Sequence, residues 1–401
     1  MSPGRALAIL SVAELCAMAP WFSASAVSGT LAGLWSLSPT GAAWLTVSVQ
    51  LGFVAGAFVS SVLALADLWS ARRLFAVSAA AAALATIAVT LVPGPRAAFA
   101  LRFLTGAALA GAYPPGMKIA AGWFRSGRGT AIGIMVGALT LGSAFPHLVR
   151  WVVPAGAWRS VLAVAAASAG VGAILILLLP GDGPYAAPSP RFSWSAVPKV
   201  LARPAIRLAN LGYLGHMWEL YAMWTWTAAF VAASEGSRGS PGASGSLPAL
   251  VTFAVVAAGA PGCWLGGVVA DRWGRARTTA AAMSISGLCC LLAGLAFGRP
   301  LVLLVPLLLI WGVAVVADSA QFSTAVTELS PPEYVGTALT LQTSLGFLLT
   351  CVTIFLLPAA AGRVGWRWAM AILAPGPAVG IWAMRTLGRR PESRLLAGGL
   401  G

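Results

Sequence analysis

The sequence predicts an all-α, polytopic membrane protein of twelve transmembrane helices in two six-helix bundles related by a parallel repeat. Three observations carry that prediction. Apolar residues make up 59% of the chain and charged residues 9%, against roughly 45–50% and 25% in soluble domains. Twelve apolar stretches are long enough to cross a bilayer. The second half of the chain also restates landmarks of the first at an offset near 205 residues.

A helix needs about 20 apolar residues to cross a ~30 Å hydrocarbon layer. The stretches that qualify are 6–29, 42–66, 74–92, 97–121, 129–152, 158–180, 206–232, 248–270, 278–297, 301–326, 336–358 and 366–387. None alternates with period 2, which argues against a membrane barrel. Pro20, Pro114, Pro115, Pro146, Pro261 and Pro306 fall inside these stretches. Membrane helices tolerate such breaks where neighbours or cavity water satisfy the freed backbone groups. The expected division is an N-terminal bundle over 1–180, a Gly/Pro/Ser-rich cytoplasmic linker over 181–204, and a C-terminal bundle over 205–401. Residues 234–247 read as a flexible external loop without chemistry.

The 25 bases outnumber the 10 acids, for a net charge of +15. They fall singly or in small groups between apolar runs rather than in one patch, which excludes a nucleic-acid surface. They orient the chain instead. With the N-terminus inside, 16 bases lie on the cytoplasmic side and 7 outside, while Arg102 and Lys118 fall within the fourth span. The balance predicts an inner (cytoplasmic) membrane protein with both termini cytoplasmic. The first apolar stretch runs past signal length and carries Glu14, so no cleavable signal is expected.

All five cysteines (Cys16, Cys263, Cys289, Cys290, Cys351) sit in apolar segments without zinc-type spacing. No His-Glu-x-x-His or Gly-x-Ser-x-Gly motif occurs, and His216-Met-Trp-Glu219 alone does not assemble a metal site. Enzyme, metal and cofactor chemistry are not expected.

The repeat is clearest where Glu14-Leu-Cys-Ala-Met-Ala-Pro-Trp21 reappears as Glu219-Leu-Tyr-Ala-Met-Trp-Thr-Trp226. Asp67 before Arg72-Arg73 corresponds to Asp271 before Arg272 and Arg275; Gly129-Thr-Ala matches Gly336-Thr-Ala; Trp158-Arg159 matches Trp366-Arg367. Only Glu14, Glu219 and Asp318 are acids deep within spans. Such an acid costs roughly 2.5–3.5 kcal/mol at the bilayer centre unless protonated, paired or wet, so it is a functional candidate. Arg102 is the expected counter-charge for Glu14, and His216, three residues before Glu219, reads equally as a proton relay or pH sensor and as a helix–helix hydrogen-bonding group. Trp21, Trp218 and Tyr221 suggest an aromatic wall for a planar, amphipathic or cationic organic solute. Asp318, Ser319, Gln321 and Ser323 form a polar stripe that would complete the site.

Gly267-Val-Val-Ala-Asp271-Arg272-Trp-Gly-Arg275 resembles the cytoplasmic loop signature of the major facilitator superfamily, with a degraded counterpart at Leu65-Ala-Asp67-Leu-Trp-Ser-Ala-Arg72-Arg73. Arg102-Phe-Leu-Thr-Gly106 resembles its second motif, and the resemblance covers essentially the whole chain. It implies that the first and seventh spans line a central cavity, so that Glu14 and Glu219 face it. It also implies that Asp67, Arg72, Arg73, Asp271, Arg272 and Arg275 form a gating latch between bundles. The expected function is secondary active transport of a small organic solute by alternating access, coupled to protons, by a monomer in the bilayer. Proton/drug antiport is the alternative; Gly133, Gly137, Gly142 and Pro146 echo the efflux motif of span five without its Gly-Pro and Gly-Gly pairs. A nitrate/nitrite-type carrier is disfavoured, because spans two and eight lack arginine. A non-transporting solute receptor is the remaining reading.

Overall fold

The computed structural model describes residues 1–124, 128–154, 156–186, 192–240 and 245–401, with the side chains of 128 and 129 excepted. Arg125 and Arg191, the side chain of Arg128, and part of the 234–247 loop therefore lie outside the described residues. No strand occurs among the described residues.

The twelve expected spans are twelve helical rods. Span 1 is Pro3–Met18, a turn, and then Ser28–Leu34. Spans 2 and 3 are Pro39–Val62 and Ala71–Leu91. Span 4 is Pro95–Leu109 followed by Tyr113–Trp123. Spans 5 and 6 are Arg128–Val152 and Trp158–Ile176, and span 7 is Pro204–Gly236. Spans 8 to 12 are Leu247–Trp273, Arg275–Ala296, Leu301–Leu329, Pro332–Val364 and Trp366–Gly388. Nine of these rods are long and apolar enough to cross a membrane by length and composition alone. The other three are span 1, span 4 and span 7: the first two are interrupted, and the third carries His216 and Glu219 along 33 residues.

Local sequence sets the ends and the breaks. Ser38 Oγ accepts from the Gly41 N–H at 3.0 Å with Pro39 following it, a start in which the missing proline donor costs nothing. Pro20 has no N–H to continue span 1, and the chain leaves the helix from residue 19 to 24. Pro114 and Pro115 open the second segment of span 4. Span 10 changes direction at Asp318, between Leu301–Ala317 and Ser319–Leu329. Gly274 (φ +90°) and Gly365 (φ +76°) make the tight turns into spans 9 and 12, a left-handed geometry that glycine adopts without a Cβ penalty.

Small residues let the helices touch. In span 2, Gly52 and Gly56 lie where a Cβ would overlap backbone of Phe103 and Ala107 in span 4; in span 8, Gly262 and Gly266 meet Val313 and Ala317 of span 10 in the same way. Gly106 and Gly312 return the fit against Val49 and Val255. Both halves thus use a Gly-x-x-x-Gly pair for one close crossing. The other packing partners also recur: span 1 on 6 and span 7 on 12, span 3 on 6 and span 9 on 12.

The halves meet along two seams, span 2 on span 11 and span 5 on span 8. At one end of the first seam Ser61 and Thr340 hydroxyls lie 2.7 Å apart; at the other, Trp44 and Phe355 rings meet edge-on at 5.1 Å. The Ala276 N–H donates to the Gly401 carbonyl at 3.3 Å, so the C-terminal segment folds back on the span 8–9 turn. That face, shared with the start of span 1 and the Ser61–Thr340 contact, is the terminal face below.

Candidate functional site

A cavity of about 300 Å³ lies between the halves. Tyr113 and Met117 of span 4, Val136 and Thr140 of span 5, Tyr213, Met217, Tyr221 and Trp224 of span 7, Ser319 and Ser323 of span 10, and Thr343 and Phe347 of span 11 contribute to its wall. A second cavity of about 310 Å³ adjoins it through Leu339 and Thr343 and extends along Ser61, Asp67, Lys118 and Thr340 toward the terminal face.

On the opposite side an aromatic plug bridges the halves. Trp21 stands 4.9 Å from Phe53, 5.8 Å from Tyr221 and 5.7 Å from Phe347 between ring centroids. Phe53 and Phe347 are 4.6 Å apart, and Phe22 touches Tyr221 at 6.1 Å and Trp224 at 5.8 Å. The plug draws on spans 1 and 2 from one half and 7 and 11 from the other. It includes the predicted Trp21 and Tyr221.

The structure corrects the expectation that Glu14 and Glu219 open onto the cavity. Both are fully buried and neither lines it. The reason is helical phase. At about 100° per residue, Tyr213, Met217, Leu220, Tyr221 and Trp224 share one face of span 7, and Glu219 points about 145° away from it. Its Oε2 accepts from Ser286 Oγ at 2.9 Å, and its Oε1 accepts from Cys290 Sγ at 3.3 Å and Trp311 Nε1 at 2.5 Å. Glu14 has no hydrogen-bond partner on either oxygen among the described residues. Its Oε2 lies against Gly116, on which Met135 and Phe75 also close.

Arg102 is not the counter-charge of Glu14. It is fully buried, and it donates to the Pro20 carbonyl (2.8 Å), Ser23 Oγ (3.2 Å), the Leu45 carbonyl (3.3 Å) and the Trp21 carbonyl. Pro20 unwinds span 1 and frees backbone oxygens, and the forked guanidinium reaches several of them at once. His216 Nδ1 lies 2.9 Å from Asp318 Oδ1, both buried, so the His joins span 7 to the break in span 10 rather than relaying to Glu219. Trp218 leaves the wall as well: its Nε1 donates to the Ile372 carbonyl at 3.0 Å. Gln321 is taken up by Arg275, whose Nη1 donates to its Oε1 at 2.7 Å.

Lys118, Arg72 and Arg275 bond to groups of their own halves. Lys118 Nζ donates to Asp67 Oδ1 at 2.5 Å and the Ala66 carbonyl at 2.8 Å. Arg72 donates to the Leu179 carbonyl. Asp182, which sequence reasoning passed over as linker, accepts from the Ala71 and Arg72 N–H groups at 2.8 and 3.0 Å, an anion at a helix start. Arg275 grips Glu328 with Nε and Nη2, both at 2.7 Å, and stands 3.8 Å from the exposed Asp271. Arg73 and Arg272 are exposed. The two halves carry mirrored charges: the acid lies on the loop and the base on span 4 in one, the base on the loop side and the acid on span 10 in the other. Glu328, Trp311, Tyr113 and Tyr213 were also missed; Trp311, a lone indole amid an apolar run, was the available signal.

Among the described residues no group of His, Cys, Asp and Glu is placed to hold a metal ion. No curated protein matches the sequence. Solved structures match over nearly the full length. The nucleoside transporter NupG superposes with a TM-score of 0.71 at 17% identity, covering 96% of this chain and 100% of that one. The proton:xylose symporter XylE gives 0.71 at 14% identity, covering 96% and 95%. The E. coli fucose:proton symporter FucP gives 0.68 at 13%, covering 97% and 100%. At these identities the likeness is one of fold. A family profile, that of the Major Facilitator Superfamily, matches residues 10–354. With twelve spans, a twofold repeat and a cavity between its halves, the chain belongs to the major facilitator superfamily of membrane transporters.

Proposed function

We propose that the chain is a proton-coupled secondary transporter of a small organic solute, with both termini in the cytoplasm of a cell bounded by the inner membrane it spans. The single observation that carries proton coupling is the setting of Glu14 and Glu219. Each is a fully buried carboxylate midway along its span with no basic side chain bonded to it among the described residues. An ionised carboxylate there is costly, and a neutral one is cheap. Proton loading and release therefore follow whichever side admits water as the halves rock. None of Glu14, Glu219 and Asp318 lines the cavity, though Asp318 immediately precedes Ser319 of its wall. Xylose and fucose symport with protons by relatives of the same fold supports this reading. The excess of basic residues on the terminal face supports the orientation. The loop-motif residues brace each half beside the cleft, a role that supports gating without a direct latch.

Proton/drug antiport of organic cations loses the support it would have had from acids facing the cavity. The test is proton-driven uptake of labelled glucose and uridine into liposomes. A 100 mV gradient carries about 2.3 kcal/mol per charge, or roughly fifty-fold accumulation. Glu14→Gln and Glu219→Gln are expected to abolish accumulation while preserving counterflow exchange. Undiminished accumulation in both variants would remove the proton role, and a solute bound by the parent without being exchanged would make the chain a receptor.

A further inference from the structure

The wall of the central cavity carries no Asp, Glu, Lys, Arg or His among its lining residues. In the adjoining cavity the ionisable groups, Asp67 and Lys118, are joined to each other at 2.5 Å. A charged solute would thus be desolvated without an opposite charge to meet it, which is costly. The wall is nevertheless rich in hydroxyl groups. Tyr113, Tyr213, Tyr221, Ser319, Ser323 and Thr343 all line it, and none of these six hydroxyls has an intramolecular hydrogen bond among the described residues. By contrast Thr140, Thr324 and Thr327 donate to carbonyls of their own helices and present only lone pairs. Six hydroxyls that both donate and accept match a solute whose own groups do the same.

The rings set the second half of the recognition. Tyr221 stands 5.2 Å from Phe347 and 5.6 Å from Trp224 between centroids, so aromatic surface closes one end while Ser319 and Ser323, four residues apart, share one face of span 10. The volume of about 300 Å³ is at the small end of ligand cavities. Resting on the transport reading above, we propose that this cavity selects an uncharged ring solute bearing several hydroxyl groups, of the size of a hexose or a ribonucleoside. The ring packs on Tyr221, Trp224 and Phe347, and its hydroxyls bond to the span 10 serines, Thr343 and the tyrosines of both halves.

The experiment compares matched neutral and charged probes by equilibrium binding to the purified full-length chain in detergent, without any gradient. Glucose is set against glucosamine, and uridine against uridine 5′-monophosphate. Saturable binding of glucose or uridine is expected, with its charged counterpart at least ten-fold weaker. Ser323→Ala and Tyr221→Phe should each weaken the neutral probe about ten-fold, the loss of roughly one buried hydrogen bond. The wild-type neutral-to-charged ratio is independent of how the variants fold. Equal or tighter binding of the charged counterparts overturns the proposal, as does saturable binding of tetraphenylphosphonium with no binding of either neutral probe, or no binding of any probe. A charged solute accumulated under a proton gradient would overturn this class and leave the transport reading standing.

Discussion

Replacing Arg102 with methionine tests whether span 4 clamps the break in span 1. The guanidinium donates to Pro20, Trp21 and Leu45 carbonyls and to Ser23 Oγ. Methionine keeps much of the volume and removes all four bonds. The Pro20 carbonyl retains the Ser23 N–H and hydroxyl as donors, whereas the Trp21 carbonyl is left bare, at about 1–3 kcal/mol. Bonds from a charged donor contribute roughly 1.5–3 kcal/mol each, and relief from burying an unpaired charge offsets part of that sum. The expected net loss is about 2–4 kcal/mol in reversible unfolding measured in mixed micelles. Lysine, a point charge with no fork, should recover no more than about half. A double-mutant cycle with Glu14→Gln should show coupling below about 0.5 kcal/mol, because the two side chains share no partner. A methionine variant as stable as the parent refutes the clamp, and coupling above about 1 kcal/mol would restore the ion pair that the sequence had suggested.

Three further outcomes follow from the geometry. Arg275→Ala and Glu328→Ala should couple by about 1–2 kcal/mol in a double-mutant cycle, since the pair is bidentate and only partly exposed; Arg272→Ala, on the exposed side of the same loop, should be near neutral. Gly266→Leu should prevent folding or cost more than about 3 kcal/mol, because its side chain would enter the Ala317 carbonyl, while Gly267→Leu, with open space around it, is tolerated. Glu219→Gln should cost under about 1 kcal/mol of stability, because an amide can accept from Trp311 and donate to Ser286, even as proton-linked accumulation fails.

The fold was legible because the solvent imposes it. Hydrocarbon demands apolar runs of a set length, and each of the twelve runs read from the chain is a rod in the structure, with ends within a few residues for most. The duplicated Glu14 and Glu219 segments were also legible, as was their burial. Their direction was not. Span 7 scatters its polar residues, among them Asn210, His216, Glu219, Tyr221 and Thr225, around the helix, so no stripe of polarity marks which face meets the cavity, and a rotation of two residues moves Glu219 from wall to interior. The partner of Arg102 was hidden for a different reason. Three of its four acceptors are backbone oxygens, two of them at the Pro20 break, and main-chain groups leave no mark in a list of side chains. The Gly52/Gly56 and Gly262/Gly266 pairs could have been found, since the spacing of four recurs in spans 2 and 8; the search for repeated acids and bases passed over it. Asp182 and Glu328 were missed because each lies at a span end, where an acid looks like ordinary solvated punctuation.

Alternating access requires the halves to rock about the cavity, with the aromatic plug closing one side and the Ser61–Thr340 contact the other. Paired spin labels measure this directly, at Ser61→Cys with Thr340→Cys on the terminal face and at Trp44→Cys with Phe355→Cys on the opposite face, in a background without the native cysteines. Across a change of pH with uridine or glucose present, one distance should lengthen as the other shortens. Two distances that stay fixed, or that lengthen together, would contradict it.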